Sequence, residues 1–175
     1  YSYIPEWKKD PVRSAITIRH LATHSSGIED AEISEKDLEN ARDKGIVIKD
    51  KHMDIPGWKG AFWQKKPDPF SISRDNAPVL FTPGTNYHYS NPGMALLSYA
   101  VTASYEGTKY SDIRRLLRER IMQPIGIKDT DWDIGYGQTY QVNGHKLVAN
   151  WGGGSFTPRA VARIGRLMMH KGKQR

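Results

Sequence analysis

The segment 81-FTPGTNYHYSNPGMALLSYAV-101 carries a clear structural signal, because a turn runs directly into an apolar segment of helical spacing. Pro92 suits the first turn of a helix, where the N–H that proline lacks would have no partner. The apolar positions recur on one face of such a helix: Leu96, Leu97, Ala100 and Val101. We therefore predict a helix from about Asn91 or Pro92 to Tyr105.

Two polar side chains, Tyr89 and Asn91, stand two residues apart at the entry to this predicted helix. In an extended backbone, both would emerge near one mouth. A phenol has a pKa near about 10 and acts as a base near neutrality only beside cations. Asn91 offers a donor and an acceptor for a substrate amide or a neighbouring lysine. On these residues alone, a structural tyrosine and an asparagine cap are favoured over a catalytic pair.

Composition limits the classes of protein to which the chain could belong. The 175 residues, 38% of them hydrophobic, fit a globular domain with its own core. The net charge is +7, but the basic residues are dispersed, and Arg114, Arg115 and Arg118 lie outside the apolar stripe of 111-SDIRRLLRERIM-122. We expect no nucleic-acid partner. No apolar run reaches the roughly 18–20 residues of a membrane helix, so we expect no membrane span.

Other elements follow from caps and turns. Thr17 caps a short helix through Ala22, and a charged helix within 29–44 ends at Gly45. Ser111 or Asp112 caps the arginine-rich helix. Residues 139-TYQVNGHKLVANW-151 predict a hairpin around Asn143-Gly144, and Thr157-Pro158 begins a last helix. The apolar residues of this last helix are Val161, Ile164, Leu167 and Met168.

Residues 46–80 show no sustained period and are rich in proline, glycine, tryptophan and lysine. Irregular segments of this length are usually functional or mobile, so we predict a long loop here. Four aromatic side chains would allow this loop to fold over a neighbouring surface: Trp58, Phe62, Trp63 and Phe70.

Several familiar site types are not supported by the sequence. The motif G-x-S-x-G does not occur, and Gly152-Gly153-Gly154 lacks the lysine of a phosphate loop, which leaves a flexible or close-packed turn. His20 and His24 have metal-ligand spacing in 20-HLATH-24, but leucine replaces the glutamate of a zinc protease motif. We expect these two side chains to pack and hydrogen bond at a helix end, and we expect no metal and no cofactor.

Five segments, taken in order, resemble the serine hydrolase family of class C β-lactamases, D-alanyl-D-alanine carboxypeptidases and related esterases. The segments are 3-YIPEW-7, 16-ITIRHLATHSSGI-28, 78-PVLFTPGTNYHYSNPGMALLSYAV-101, 116-LLRERIMQPIGIKDTDW-132 and 152-GGGSFTPRAVARIGRLM-168. Only about 29–77 has no clear counterpart and is interpreted as a variable loop insertion. One departure is Ala160, where relatives often carry an acidic residue.

The resemblance reverses the interpretation of Tyr89 and Asn91. It implies that Tyr89 is a general base or proton relay and that Asn91 positions the substrate and a catalytic lysine. The nucleophile of this family lies in Ser-x-x-Lys, and no serine of the chain has lysine three residues later. In relatives that element precedes the segment matching YIPEW, so we expect it upstream of Tyr1. His170-Lys171-Gly172 matches the third family element in letters, but it follows a helix and is rejected.

The predicted fold is therefore mainly α with a small β-hairpin, the helical domain of the α+β β-lactamase/transpeptidase-like fold. Residues 1–175 would form part of that domain, without the nucleophile segment and the C-terminal sheet strands. We predict a fragment of a hydrolase of amide or ester bonds, with β-lactam, D-alanyl peptide and ester all open as substrates, and an inactive isolated chain. The alternative is a non-catalytic helical module that binds peptides or proteins. The resemblance implies a periplasmic or secreted protein, and exposed helical surface would favour self-association.

Overall fold

A computed structural model of the chain describes residues 1–110 and 112–173. The chain divides into two compact units, Tyr1–Ala100 and Val101–Arg175. Helices predominate, and the described strands form two separate two-stranded antiparallel sheets. A mainly helical chain with a small amount of β structure was predicted, and the structure confirms it.

The first unit is built from short helices joined by turns. Two 3₁₀ turns, Pro5–Lys9 and Arg13–Ala15, precede the helices. The helices that follow are α1 (Ile18–Ala22), α2 (Glu35–Asp43), α3 (Trp58–Gln64), α4 (Pro69–Asp75) and α5 (Asn91–Ser104), and the boundary between the units falls within α5. The predicted bounds of α5 are confirmed to within one residue at its C-terminal end.

A side-chain cap begins α1 where the sequence predicted it, and a cap that was not predicted begins α2. Thr17 accepts a hydrogen bond from the His20 N–H at 3.1 Å, and Ser34 accepts one from the Asp37 N–H at 3.2 Å. Gly45, with φ of 71°, follows α2. These caps satisfy N–H groups that have no partner inside the helix, so short local signals are enough to place the helix starts.

The prediction of a long irregular loop over 46–80 is wrong, because α3 and α4 both lie within it. Asp68 caps α4 with a 2.8 Å hydrogen bond from the Ser71 N–H. Phe62 and Phe70 are 1% and 0% exposed. These rings therefore form the core of the unit instead of covering an external surface, and their burial stabilises helices too short to show a clear period.

The second unit contains the remaining elements. They are α6 (Ile113–Leu117), which continues as a π-helical turn (Arg118–Met122), then β1 (Trp132–Asp133), β2 (Thr139–Val142), β3 (His145–Val148), β4 (Ser155–Phe156) and α7 (Pro158–Met169). Two 3₁₀ turns, Asp129–Asp131 and Gly135–Gly137, lie on either side of β1. Asp112 caps α6 with a 3.0 Å hydrogen bond from the Arg115 N–H, while Ser111, the other predicted cap, lies outside the described residues.

The predicted hairpin is confirmed as β2 and β3, which pair from Thr139 with Val148 to Val142 with His145. Asn143 and Gly144 have φ of 49° and 82°, as a type I′ turn requires. The short pairing of β1 with β4 was not predicted, because two-residue strands leave no alternating pattern. Gly152 is close-packed, since a Cβ there would meet the hydroxyl of Tyr136.

One expectation for α7 needs correction. Ala160 is fully buried in a cluster with Met122, Ile127 and Trp132. Ile164 packs against this cluster. Val161 and Met168, predicted on the apolar face, are instead 56% and 74% exposed. They lie roughly 100° around the helix from Ala160, so the inward face is narrower than the apolar sequence suggested. Within the described residues, no helix combines the length and apolarity needed to cross a membrane.

Candidate active site

The candidate site lies where the turn after Leu80 leads into α5. Two segments distant in sequence meet here in antiparallel fashion, through the bridge between Ile28 and Val79. The Leu80 N–H donates to the Gly27 carbonyl at 2.8 Å. Further along, the His88 N–H donates to the His24 carbonyl, also at 2.8 Å. This pairing places residues 24–30 beside the start of α5.

Tyr89 and Asn91 are brought together as the sequence predicted. The Tyr89 hydroxyl donates to Asn91 Oδ1 at 3.2 Å. The Tyr89 ring is 48% exposed, whereas Asn91 is only 6% exposed. A solvent-facing phenol is therefore held against an amide that is almost wholly enclosed.

Asp30 fixes Asn91 from the enclosed side. Its Oδ1 accepts hydrogen bonds from the Asn91 N–H at 2.8 Å and from Asn91 Nδ2 at 3.0 Å. The same oxygen accepts from the Ala31 N–H at 2.8 Å. Because the carboxylate holds both the backbone and the side chain of Asn91, it determines where α5 begins and where the amide points.

Ser90, which lies between Tyr89 and Asn91, fixes the backbone at this point. Its hydroxyl donates to the Glu29 carbonyl at 3.2 Å and accepts from the Gly93 N–H at 2.9 Å. The Ser90 N–H donates to Nδ1 of His24 at 3.3 Å. Ser90 is 1% exposed, so these contacts lock the backbone while the side chains on either side of it face the site.

His24 packs against the phenol ring. The His24 and Tyr89 ring centroids are 4.7 Å apart at an interplanar angle of 32°. Burial lowers the pKa of the His24 imidazole below its usual value, and the carboxylate of Asp30 opposes part of that shift. The neutral ring keeps a lone pair on Nδ1, which the Ser90 N–H uses.

Helix α3 supports the segment that carries Asp30. The Lys59 ammonium lies 3.2 Å from Glu29 Oε1 and 2.9 Å from Asp37 Oδ2. Burial alone would lower the pKa of Lys59, but hydrogen bonds to Asp37 and Glu29 outweigh it and raise that pKa. The Trp63 indole also donates to the Ala31 carbonyl at 2.8 Å.

Sequence reasoning missed the two residues that position this pair. Asp30 carries no motif signal, and its contact with Asn91 spans 61 positions. His24 was considered only together with His20, as a metal ligand or as a side chain that packs and hydrogen bonds at a helix end. The two imidazoles do different work, because His20 Nδ1 accepts from the Thr17 N–H at 3.4 Å in the α1 cap. Among the described residues, no group of at least three His, Cys, Asp or Glu side chains could hold a metal ion.

The rejected third element, His170-Lys171-Gly172, forms a turn at the end of α7. His170 is the C-terminal cap of that helix, and Lys171 and Gly172 have φ of 54° and 76°. A catalytic strand is extended, so this turn does not provide one.

The arrangement has the elements of a proton-handling site. A hydroxyl at its mouth is hydrogen bonded to an amide whose orientation a partly buried carboxylate determines. Such a pair can pass a proton at the phenol oxygen and bind a polar group of a ligand beside it.

Comparison with known proteins agrees with the fold. The chain resembles a penicillin binding protein from Bacillus halodurans with a TM-score of 0.56 and 19% identity, over 97% of this chain and 52% of that one. A human beta-lactamase-like protein is 25% identical over 108 residues, which are 55% of this chain and 20% of that protein. The chain thus spans about half of the first and a fifth of the second. The sequence profile described as Beta-lactamase matches residues 2–174, so the chain belongs to the beta-lactamase family.

Proposed function

We propose that this chain supplies the second catalytic corner of a serine acyl hydrolase, with Tyr89 handling protons and Asn91 positioning the substrate. The observation that carries the proposal is the 3.2 Å hydrogen bond from the Tyr89 hydroxyl to Asn91 Oδ1, at the exposed mouth of an otherwise enclosed corner. Membership of the beta-lactamase family supports this assignment.

The proposed reaction is acyl transfer to a serine that this chain does not contribute. The serine oxygen attacks an amide or ester carbonyl, and its proton passes through Tyr89 to the leaving group. Water then attacks the acyl-enzyme, and the serine recovers its proton. For Tyr89 to act as a base near neutral pH, a cation must come close to its oxygen, and the lysine of Ser-x-x-Lys would provide it.

Residues 1–175 would form the helical part of that enzyme, with 29–77 as its variable insertion. β-Lactams, D-alanyl peptides and simple esters all present a suitable carbonyl. The insertion bears on this choice, because α3 holds the segment beside the site through Lys59 and Trp63. Its sequence would therefore influence the mouth that an acyl substrate enters.

The first test uses the 175-residue chain itself. After incubation with a chromogenic β-lactam or an activated ester, intact-mass spectrometry should show no acyl adduct, since no serine here has the Ser-x-x-Lys context. An adduct on any serine would show that the nucleophile lies within this chain and would overturn this division of the site.

The second test uses the protein extended to include an upstream Ser-x-x-Lys segment, where the gene encodes one. Tyr89→Phe removes only the hydroxyl and should lower kcat by roughly 10²–10⁴-fold, the range of a lost general acid–base. Tyr87→Phe is the matched control, because Tyr87 is 66% exposed and contacts His24 edge-on at 6.0 Å. Equal activity of the two variants would remove Tyr89 from the mechanism.

A non-catalytic, peptide-binding descendant of the family is the second candidate. It is favoured by one observation, the lack of any Ser-x-x-Lys in these 175 residues. If the gene begins with a start codon directly before Tyr1, this candidate replaces the hydrolase.

A further inference from the structure

The carboxylate of Asp30 determines more than the start of α5. Asn91 Nδ2 lies 3.0 Å from Asp30 Oδ1, and Asn91 Oδ1 lies 3.2 Å from the Tyr89 hydroxyl oxygen. The amide of Asn91 therefore sits between a carboxylate on its enclosed side and a phenol on its exposed side.

An ionised carboxylate accepts hydrogen bonds and cannot donate them. Rotating the Asn91 amide by 180° would place its oxygen against Asp30 Oδ1, so that two acceptors would face each other at hydrogen-bond distance. Which way an asparagine amide points is decided by the hydrogen-bond network around it. Asp30 favours the orientation in which Asn91 Nδ2 faces its carboxylate, because Asp30 Oδ1 is held in place by the backbone N–H groups of Ala31 and Asn91.

The consequence reaches Tyr89. With Asn91 Oδ1 facing the phenol, the shared hydrogen must come from Tyr89, because an amide oxygen has none to give. A phenolate at that position would face the lone pairs of Asn91 Oδ1. In this arrangement the Tyr89 hydroxyl is the donor of the hydrogen bond that it shares with Asn91.

We propose that Asp30 is a positioning residue that locks the Asn91 amide with its oxygen toward Tyr89, so that the Tyr89 hydroxyl is the donor of the hydrogen bond between them. Its importance for catalysis rests on the proposed function, but the lock itself is a property of the 175-residue chain. Asp30 thus acts on the reacting group through Asn91, without touching it.

A purely structural Asp30 would cap the Ala31 and Asn91 N–H groups and leave the amide free to rotate. The two roles differ in what the side-chain amide of Asn91 senses. Only the lock couples the protons on Asn91 Nδ2 to the charge of Asp30.

The decisive measurement uses the unmodified chain with ¹⁵N and ¹³C labels. Between pH 7 and the lowest pH at which the chain stays folded, a side-chain proton of Asn91 Nδ2 should shift with the same midpoint as the Asp30 carboxyl carbon. A resonance that ignores the titration of Asp30 overturns the proposal. That result would leave the hydrolase proposal standing, because the latter is judged by the activity of Tyr89→Phe.

Asp30→Asn provides a second measurement. The new amide can donate to a rotated Asn91 oxygen, so Asn91 can turn its NH₂ group toward Tyr89 and stabilise the phenolate. With ¹³C-labelled tyrosine, the titration midpoint of Tyr89 should fall by about half a pH unit or more.

Glu29→Gln is the matched control, since it removes a neighbouring negative charge while Asp30 and its contacts with Asn91 remain. Its effect on Tyr89 should be smaller than that of Asp30→Asn. Equal shifts in the two variants, or none in either, would mean that Asp30 acts through charge alone or not at all, and would overturn the lock. If Asp30→Asn fails to fold, the titration of the unmodified chain decides.

Discussion

Two regions of the molecule contain residues with positive φ: the hairpin of β2 and β3, and the corner that residues 24–30 form with the start of α5. They are stabilised in different ways. The hairpin turn lies between directly paired strands, with Val142 opposite His145. The corner is held by Asp30 with Asn91 and by His24 with Ser90, contacts that span 61 and 66 positions. A local turn depends on its own residues, whereas the corner depends on the folding of the whole first unit.

Two glycines make the comparison quantitative. Gly27 in the corner and Gly144 in the hairpin have nearly equal φ, 81° and 82°. A Cβ added to Gly27 would lie 2.5 Å from the Phe81 carbonyl oxygen, while one added to Gly144 would meet nothing within 4 Å. Because φ is matched between them, the comparison tests the effect of packing.

The largest effect is expected from Gly27→Ala. The left-handed conformation costs about 1–2 kcal/mol with a side chain present, and this alone should be the loss in Gly144→Ala. Gly27→Ala should cost roughly 3 kcal/mol or more, because the backbone of Phe81 must also move. Urea denaturation at neutral pH measures both. Equal losses would mean that the antiparallel pairing of residues 27–29 with 78–80 is not tightly packed.

An intermediate effect is expected from Lys59→Met, which keeps the length of the side chain and removes its charge. Glu29 and Asp37 would then lie together without the ammonium, whose side chain is 11% exposed. The free energy of unfolding should fall by about 2 kcal/mol, less than for a fully buried pair because the carboxylates are partly solvated.

Lys109→Met is the control for that substitution. The Lys109 side chain is 62% exposed and pairs with Glu119 at 2.6 Å. Pairs of this kind contribute little, so its stability should not change measurably. If Lys59→Met is as mild as Lys109→Met, α3 does not hold the segment that carries Asp30.

These differences explain how much the sequence could predict. The start of α5 is marked by Pro92, and the cap at Thr17 and the turn at Asn143-Gly144 each depend on residues within three positions of one another. Their signals are local and survive in the sequence. The helices α3 and α4 were missed because their stability comes from the burial of Phe62 and Phe70, which no local pattern reveals.

The candidate site divides along the same line. Tyr89 and Asn91 were predicted because they are two residues apart and match a family motif. Asp30 was not, since a single aspartate in a charged segment is typical of a solvated surface. Its role becomes visible only when folding brings it within 3.0 Å of the Asn91 amide.

The smallest effect is expected from the titration of His24, and it concerns the corner alone. Because burial lowers the pKa of His24 in the folded chain, the unfolded chain takes up this proton more readily. The contribution of neutral His24 is fully present above the unfolded pKa of about 6.5 and is lost as pH falls through the folded pKa. The free energy of unfolding should therefore decline below about pH 6.5 as the hydrogen bond from Ser90 to Nδ1 is broken.

His24→Asn tests this directly, because asparagine tolerates the φ of 53° and offers an oxygen to the Ser90 N–H without titrating in this range. The variant should lose the part of the decline that belongs to His24, when denaturation midpoints are compared between pH 7.5 and 5.5. The hairpin contains His145, for which His145→Gln is the control that should keep the decline. If stability declines equally in both variants and in the unmodified chain, protonation of His24 costs no stability. The packing of its ring on Tyr89 would then not depend on the neutral form.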